Sequence, residues 1–158
     1  MQNLSKDLDA ITDAVLLASR VLVAVAARSL AEVSDDVTLP QYRALVVLAS
    51  RGPQLLGALA EQLDVNPSTA SRLCDRLERK NLVSRRLSEA SRREVEIELT
   101  EAGRKIVDNV TGRRRLQIMR ILMSVPERQR TNLVKALTAF NEAAGEAPEQ
   151  SWSLGWSH

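Results

Sequence analysis

The chain has 158 residues, of which 44% are apolar, 27% charged and 3% aromatic, with a formal net charge of +2. That length holds one ordinary domain with its core, and an aliphatic composition so poor in aromatics suits packed helices better than a β-sandwich. Its single Cys (Cys74) and single His (His158) exclude a disulfide framework within the chain and a Cys/His zinc site.

The N-terminus, Met-Gln-Asn-Leu-Ser-Lys-Asp, carries no apolar block behind a basic start, so no signal peptide is expected. The most apolar run, Val21 to Ala27, lies between Arg20 and Arg28 and reads as too short to span a bilayer. A cytoplasmic protein without a membrane partner is expected. Residues 4 to about 32 form the first helix, in which Leu4, Leu8, Ile11, Val15, Ala18, Leu22 and Val25 recur at alternating spacings of four and three. That period of 3.5 is the seam of a helix packed along another helix, and a second copy of the chain is its natural partner.

Ser34-Asp35-Asp36 interrupts the pattern, and Leu39-Pro40 restarts a helix whose apolar side carries Tyr42, Leu45, Val46 and Leu48 before Gly52-Pro53 stops it. Leu55 to Leu63 is a short third helix with Leu56, Leu59, Ala60 and Leu63 on one face. Asp64-Val65-Asn66 is a tight turn. Asn66 is a good N-cap and Pro67 a good first residue for a fourth helix running to about Lys80, with Ala70, Leu73, Cys74 and Leu77 as its buried stripe. Two short helices joined by a three-residue turn, the second capped and basic, form a helix-turn-helix.

Asn81 follows the fourth helix where a left-handed residue is wanted. Leu82 to Leu87 reads as a strand. Glu94 to Leu99 alternates strictly, with Val95, Ile97 and Leu99 on one face and Glu94, Glu96 and Glu98 on the other. The polar stretch between them is a hairpin tip, which makes the unit winged. Thr100 caps a fifth helix that continues to about Ser124 through Arg113-Arg114-Arg115. Pro126 starts a sixth, carrying Leu133, Leu137 and Phe140, which Gly145 to Pro148 ends. The last residues, with Trp152 and Trp156, read as a tail.

The fold expected is therefore mainly α with a small β-hairpin wing. Residues 1–34 and 104–146 make a helical dimerisation region, 35–103 a winged helix-turn-helix DNA-binding region, and 147–158 a C-terminal tail.

Charge is concentrated on this unit. From Asn66 to Arg93 there are eight Lys or Arg against three acids, a local net charge of +5 on a near-neutral protein. A basic patch of that kind points to a polyanion at one face, and B-DNA admits an α-helix into its major groove. The buried stripe of the fourth helix leaves Ser68, Thr69, Ser71, Arg72 and Arg76 facing outward, with Pro67 opening the helix. Small hydroxyl residues allow close approach. Arg72 is the best candidate for a base edge, and Arg76 for phosphate. The N–H groups that open a helix also hold phosphate. Arg92 and Arg93 at the wing tip would meet the neighbouring minor groove.

These segments resemble the MarR group of bacterial transcription regulators. The matching residues are Leu39-Pro40-Gln41-Tyr42-Arg43, Leu59-Ala60-Glu61-Gln62-Leu63, Pro67-Ser68-Thr69-Ala70-Ser71-Arg72-Leu73, Asp75-Arg76-Leu77-Glu78, Lys80-Asn81-Leu82-Val83, Arg92-Arg93 and Leu99-Thr100-Glu101-Ala102-Gly103. The resemblance implies an obligate homodimer with interlocked first, fifth and sixth helices. It also implies a fourth helix that reads the major groove, with Arg93 as the minor-groove arginine. Such proteins often answer to phenolic or lipophilic small molecules bound between the two lobes, so a small-molecule effector is implied, but no residue here fixes one. Tyr42 and Arg20 read as core packing and surface solvation.

Ser88 and Ser91 stand where the family usually has Asp, Glu89 where it has Pro, and Asn81 where it has Gly. Without an acid at position 91, Arg93 is expected to be less firmly held. Some relatives sense oxidants through a Cys near the N-terminus. Here Cys74 lies on an apolar stripe, where a thiol is usually inert. The function expected is that of a dimeric, sequence-specific DNA-binding repressor without cofactor or metal. An enzyme is disfavoured because no nucleophile–base pair is suggested. The alternative is a helical protein-interaction module whose basic face binds an acidic partner.

Overall fold

In a computed structural model, which describes residues 2–91 and 93–146, the chain runs α1 (Gln2–Ala31), α2 (Leu39–Arg51), β1 (Gln54–Leu55), α3 (Leu56–Leu63), α4 (Pro67–Arg79), β2 (Val83–Leu87), β3 (Val95–Leu99), α5 (Glu101–Met123) and α6 (Glu127–Ala143). Arg92 and the tail at 147–158, with Trp152 and Trp156, lie outside the described residues.

Side-chain caps start α2, α4 and α5. Thr38 Oγ1 accepts from the Gln41 N–H, and Gln41 Oε1 accepts from the Thr38 N–H, a reciprocal capping box in front of Pro40. Asn66 Oδ1 accepts from the Thr69 N–H at 2.8 Å ahead of Pro67, as its sequence position predicts. Asn81 sits at φ 57°, the left-handed conformation expected of it. Thr100 caps α5 through the Gly103 N–H and donates its own hydroxyl to the Asn81 carbonyl at 2.7 Å.

Val83↔Leu99, Arg85↔Ile97 and Leu87↔Val95 pair in an antiparallel hairpin. β1, two residues long, adds to the other edge of β3 and makes a three-stranded sheet in the order β1-β3-β2. That strand is not anticipated from the sequence, because two residues carry no periodicity. Leu55 belongs to it and caps α3 instead of starting that helix.

The core lies where α2, α3, α4 and the sheet meet α5. Leu45, Leu48, Leu59, Cys74, Leu77, Val83, Ile97, Val107 and Val110 are fully buried there. Gly103 joins the two parts of the chain. A Cβ at that position would lie 2.1 Å from the Leu82 carbonyl oxygen and 2.7 Å from Leu99 Cδ1. The first turn of α5 therefore rests directly on the start of the hairpin.

The long helices are another matter. Val25, Ser29 and Leu30 are buried at the C-terminal end of α1, where Gln117 Nε2 donates to Ser29 Oγ at 3.1 Å. The rest of the seam is open: Leu8, Ile11, Val15 and Leu22 are exposed, as are Leu116 and Met119 on α5 and Val134, Leu137 and Phe140 on α6. No residue of α6 is buried. The chain exposes 11509 Å². A compact monomer of this mass exposes about 7,900 Å², and the twelve C-terminal residues add at most about 1,900 Å² even when fully stretched.

One expectation needs correcting. The apolar stretch of α1 does not end at Val21 to Ala27. The most apolar 18 residues within Ser5–Ala31 reach a mean hydropathy of 1.9, so the helix is long and apolar enough to cross a membrane by length and composition. The difference arises because alanines, leucines and valines extend the run on both sides of Arg20, back toward Asp13.

Candidate nucleic-acid interface

α4 buries Ala70, Cys74 and Leu77 fully and Leu73 partly, the stripe its sequence predicts. Pro67, Ser68, Arg72 and Arg76 are exposed, and Thr69 and Ser71 are half-buried. Ser68 Oγ donates to Asn66 Oδ1 at 2.7 Å, so its hydroxyl supports the cap while remaining at the surface. Arg72 and Arg76 share an open groove of about 510 Å³ with Thr69 and Leu73, its far wall formed by Thr38, Pro40 and Gln41 at the start of α2.

Not every basic side chain of this segment is free for a partner. Arg85 is gripped by Asp75 Oδ1 at 2.5 Å and Glu78 Oε2 at 3.3 Å. Arg86 lies against Glu96 at 2.8 Å and Glu98 at 3.5 Å, across the hairpin. Lys80 donates to Gln41 Oε1 at 3.0 Å and to the Asp36 carbonyl, fastening the end of α4 to the capping box of α2. Arg79 Nε reaches the Asp75 carbonyl. Among the described residues, Arg72, Arg76 and Arg93 form no ion pair. The outward stripe of α4 and the wing tip thus carry positive charge that no carboxylate of the described residues meets, as do Arg79 and Lys80 at the end of α4, whose partners are uncharged oxygens.

The wing tip is closed by the Ser88 N–H donating to the Glu94 carbonyl at 2.9 Å. Ser88 Oγ accepts from the Ala90 N–H and Ser91 Oγ from the Arg93 N–H, at 3.3 and 3.4 Å. Serine at position 91 therefore steadies the backbone of Arg93, and the Arg93 side chain is exposed. Arg92, the other predicted tip residue, lies outside the described residues.

Burial pushes the Cys74 thiol up from 9.0 to about 11, with Arg85 partly opposing it. The thiol is neutral at ordinary pH and enclosed by the core, which makes it a poor nucleophile. Tyr42 is buried and Arg20 exposed, as predicted. Tyr42 Oη on α2, Arg85 Nε on β2, and Thr111 Oγ1 and Arg114 Nε on α5 are buried without hydrogen-bond partners, Arg85 Nε having only its ion pair with Glu78. Among the described residues, no cluster of three or more His, Cys, Asp or Glu is placed to hold a metal.

Two features escaped sequence reasoning. The Thr38-x-x-Gln41 spacing was a legible capping-box signal. Arg85 was counted only as basic charge, although alternation from Val83 places it on the inner face of β2, toward α4.

The profile of the MarR family matches residues 37–95. A solved structure titled RV1404, from Mycobacterium tuberculosis, is 46% identical and superposes with a TM-score of 0.84, covering 90% of this chain and 97% of that one. A MarR family protein from Bacillus stearothermophilus is 23% identical with a TM-score of 0.80, over 90% of this chain and 98% of that one. The transcriptional repressor MdtR of Bacillus subtilis (strain 168) is 28% identical over 121 residues, 77% of this chain and 78% of its own length.

Proposed function

The chain belongs to the MarR family of transcriptional regulators, and from that premise we propose that it is a homodimeric repressor which reads a pseudo-palindromic DNA site and is released by a small-molecule effector. Its curated relatives are transcriptional regulators rather than enzymes. The observation that carries the reading is the capped helix α4, whose outward stripe holds Arg72 and Arg76 free of ion pairs beside a hairpin with Arg93 at its tip.

In this reading α4 enters the major groove. Pro67, Ser68, Thr69 and Ser71 let the helix approach closely and contact phosphate through hydroxyls and N-terminal amides. Arg72 takes a base edge, Arg76 a phosphate, and Arg92 and Arg93 the adjacent minor groove. Residues 35–103 form the DNA-binding region.

Residues 1–34 and 104–146 form the dimerisation region. The support is the open apolar surface of α1, α5 and α6, together with an exposed area well above that of a compact monomer. Beside its seam α1 also exposes Leu16, Leu17, Val21 and Val23, an apolar surface that wants enclosure, and an interlocked second copy supplies it without a membrane. Two copies set two recognition helices about 34 Å apart, one turn of duplex. Such a protein works in the bacterial cytoplasm. An effector that prefers the lobe spacing unable to span two grooves shifts the population away from DNA.

The test is a mobility shift with the duplex upstream of the protein's own coding region. A retarded complex with two chains per site is expected, with affinity falling steeply as salt rises. A folded protein that shifts no duplex at low salt would turn the basic face over to an acidic protein partner.

A further inference from the structure

We propose that Arg85 is a positioning residue for DNA reading: it sets the rotation of α4 about its own axis relative to the wing, so that Arg72 and Arg93 engage one duplex together. This rests on the DNA-reading role proposed above and assigns a residue to it that does not itself touch DNA.

The side chain lies on β2 and reaches across to α4. Its guanidinium donates to the Ser71 carbonyl at 3.2 Å and pairs with Asp75 Oδ1 at 2.5 Å and Glu78 Oε2 at 3.3 Å. Positions 71, 75 and 78 are spaced i, i+4 and i+7, one stripe along the helix. Nη2 donates to both Ser71 and Asp75, while Nε lies in an ion pair with Glu78 without a hydrogen bond, so one guanidinium spans two turns of α4 along a line, which resists rotation as well as separation. The neighbouring Arg86, of the same type, points to the other face of the hairpin and pairs only with Glu96 and Glu98 of its own sheet. It holds nothing on α4.

The gripped stripe adjoins the outward one. Ser71 immediately precedes Arg72, and Asp75 immediately precedes Arg76. A turn of α4 about its axis carries both outward arginines sideways while the wing stays with the sheet. Arg85 is half-buried, with its charge committed to two carboxylates, so it is poorly placed to serve phosphate as well. Loss of the grip should therefore cost registration between helix and wing, not a phosphate contact.

The experiment compares wild-type protein with Arg85→Gln, Arg85→Lys, Asp75→Asn and the Arg85→Gln/Asp75→Asn pair. The probe is the duplex that the wild type enriches from a random pool, measured against a scrambled duplex across a salt series at a temperature where every variant is folded. Asp75→Asn removes a negative charge beside the DNA face, so charge alone predicts tighter binding. Positioning predicts weaker binding to the enriched duplex, by about tenfold, the worth of one mismatched base pair, with less discrimination against the scrambled one. Arg85→Gln should lose a similar amount with its salt slope unchanged, and the double variant should be no worse than the weaker single. Arg85→Lys keeps the charge without the planar guanidinium and should not restore discrimination.

Asp75→Asn binding as well as or better than wild type would overturn the proposal. So would a salt slope smaller by about 0.9 in Arg85→Gln, the mark of a lost phosphate contact. A wild type that enriches no duplex overturns the DNA-reading role itself, a separate result.

Discussion

Arg72 and Arg76 differ in neither exposure nor pairing, but by one turn of helix in where they fall along a groove. Arg72→Ala should weaken binding by about 1–3 kcal/mol and relax preference at one base position, whereas Arg76→Ala should weaken all sequences alike and lower the salt slope by about 1. Binding curves on single-base variants of one site separate the two. Cys74 makes a different point. Its thiol titrates near 11 in the folded chain against 9.0 in its ordinary state, so the unfolded chain gives up the proton first. The stabilisation this represents is complete below pH 9 and is lost as pH rises toward 11. Denaturant melts across that window should show stability declining, with a shallower decline in Cys74→Ala. Gly103 is required by contact: Gly103→Ala forces a methyl group into the Leu82 carbonyl, which is itself held by the Thr100 N–H. A destabilisation of about 1–3 kcal/mol, the usual range for overpacking, is expected in thermal melts.

The elements that carry strong local signals were legible, and those that depend on distant partners were not. Asn66-Pro67 announces the start of α4 because a side-chain acceptor and a preset φ act within one turn, and the structure places the cap there. Asn66→Ala should cost about 1 kcal/mol, read as a lower denaturant midpoint, and loosen the end of α4 that approaches DNA. The strict alternation of residues 94–99 fixes the faces of β3, since a register slip would turn Ile97 outward. β1 could not be foreseen, because its two residues become a strand only by meeting β3. The grip of Arg85 on α4 likewise depends on how a hairpin lies across a helix. A net count over residues 66–93 could show neither that Arg85 is tied to Asp75 and Glu78 nor that Arg86 is met by Glu96 and Glu98 from beyond the segment. At the wing, Ser91 replaces an acid and was expected only to free Arg93; in the folded chain it accepts from the Arg93 backbone instead.

At the scale of the molecule, an ordered central unit is attached to helices whose apolar faces lie open, and the proposed second copy closes them. The seam of α1 is where that closure is most easily broken. Leu8→Glu with Val15→Glu puts two charges into the line of Leu8, Ile11, Val15 and Leu22, away from the buried Val25 and Ser29. The variant should sediment as a single chain while the wild type sediments as a pair, and it should lose paired-site binding. Pairing matters because it ties two short basic probes to one turn of duplex, so dimerisation and DNA reading stand together. Selection of bound sites from a random duplex pool tests that union most directly. The enriched sequences should be inverted repeats with half-site centres about 10–10.5 base pairs apart, one turn of B-DNA. A lone half-site bound by one chain, or no enrichment by a folded protein, would contradict it.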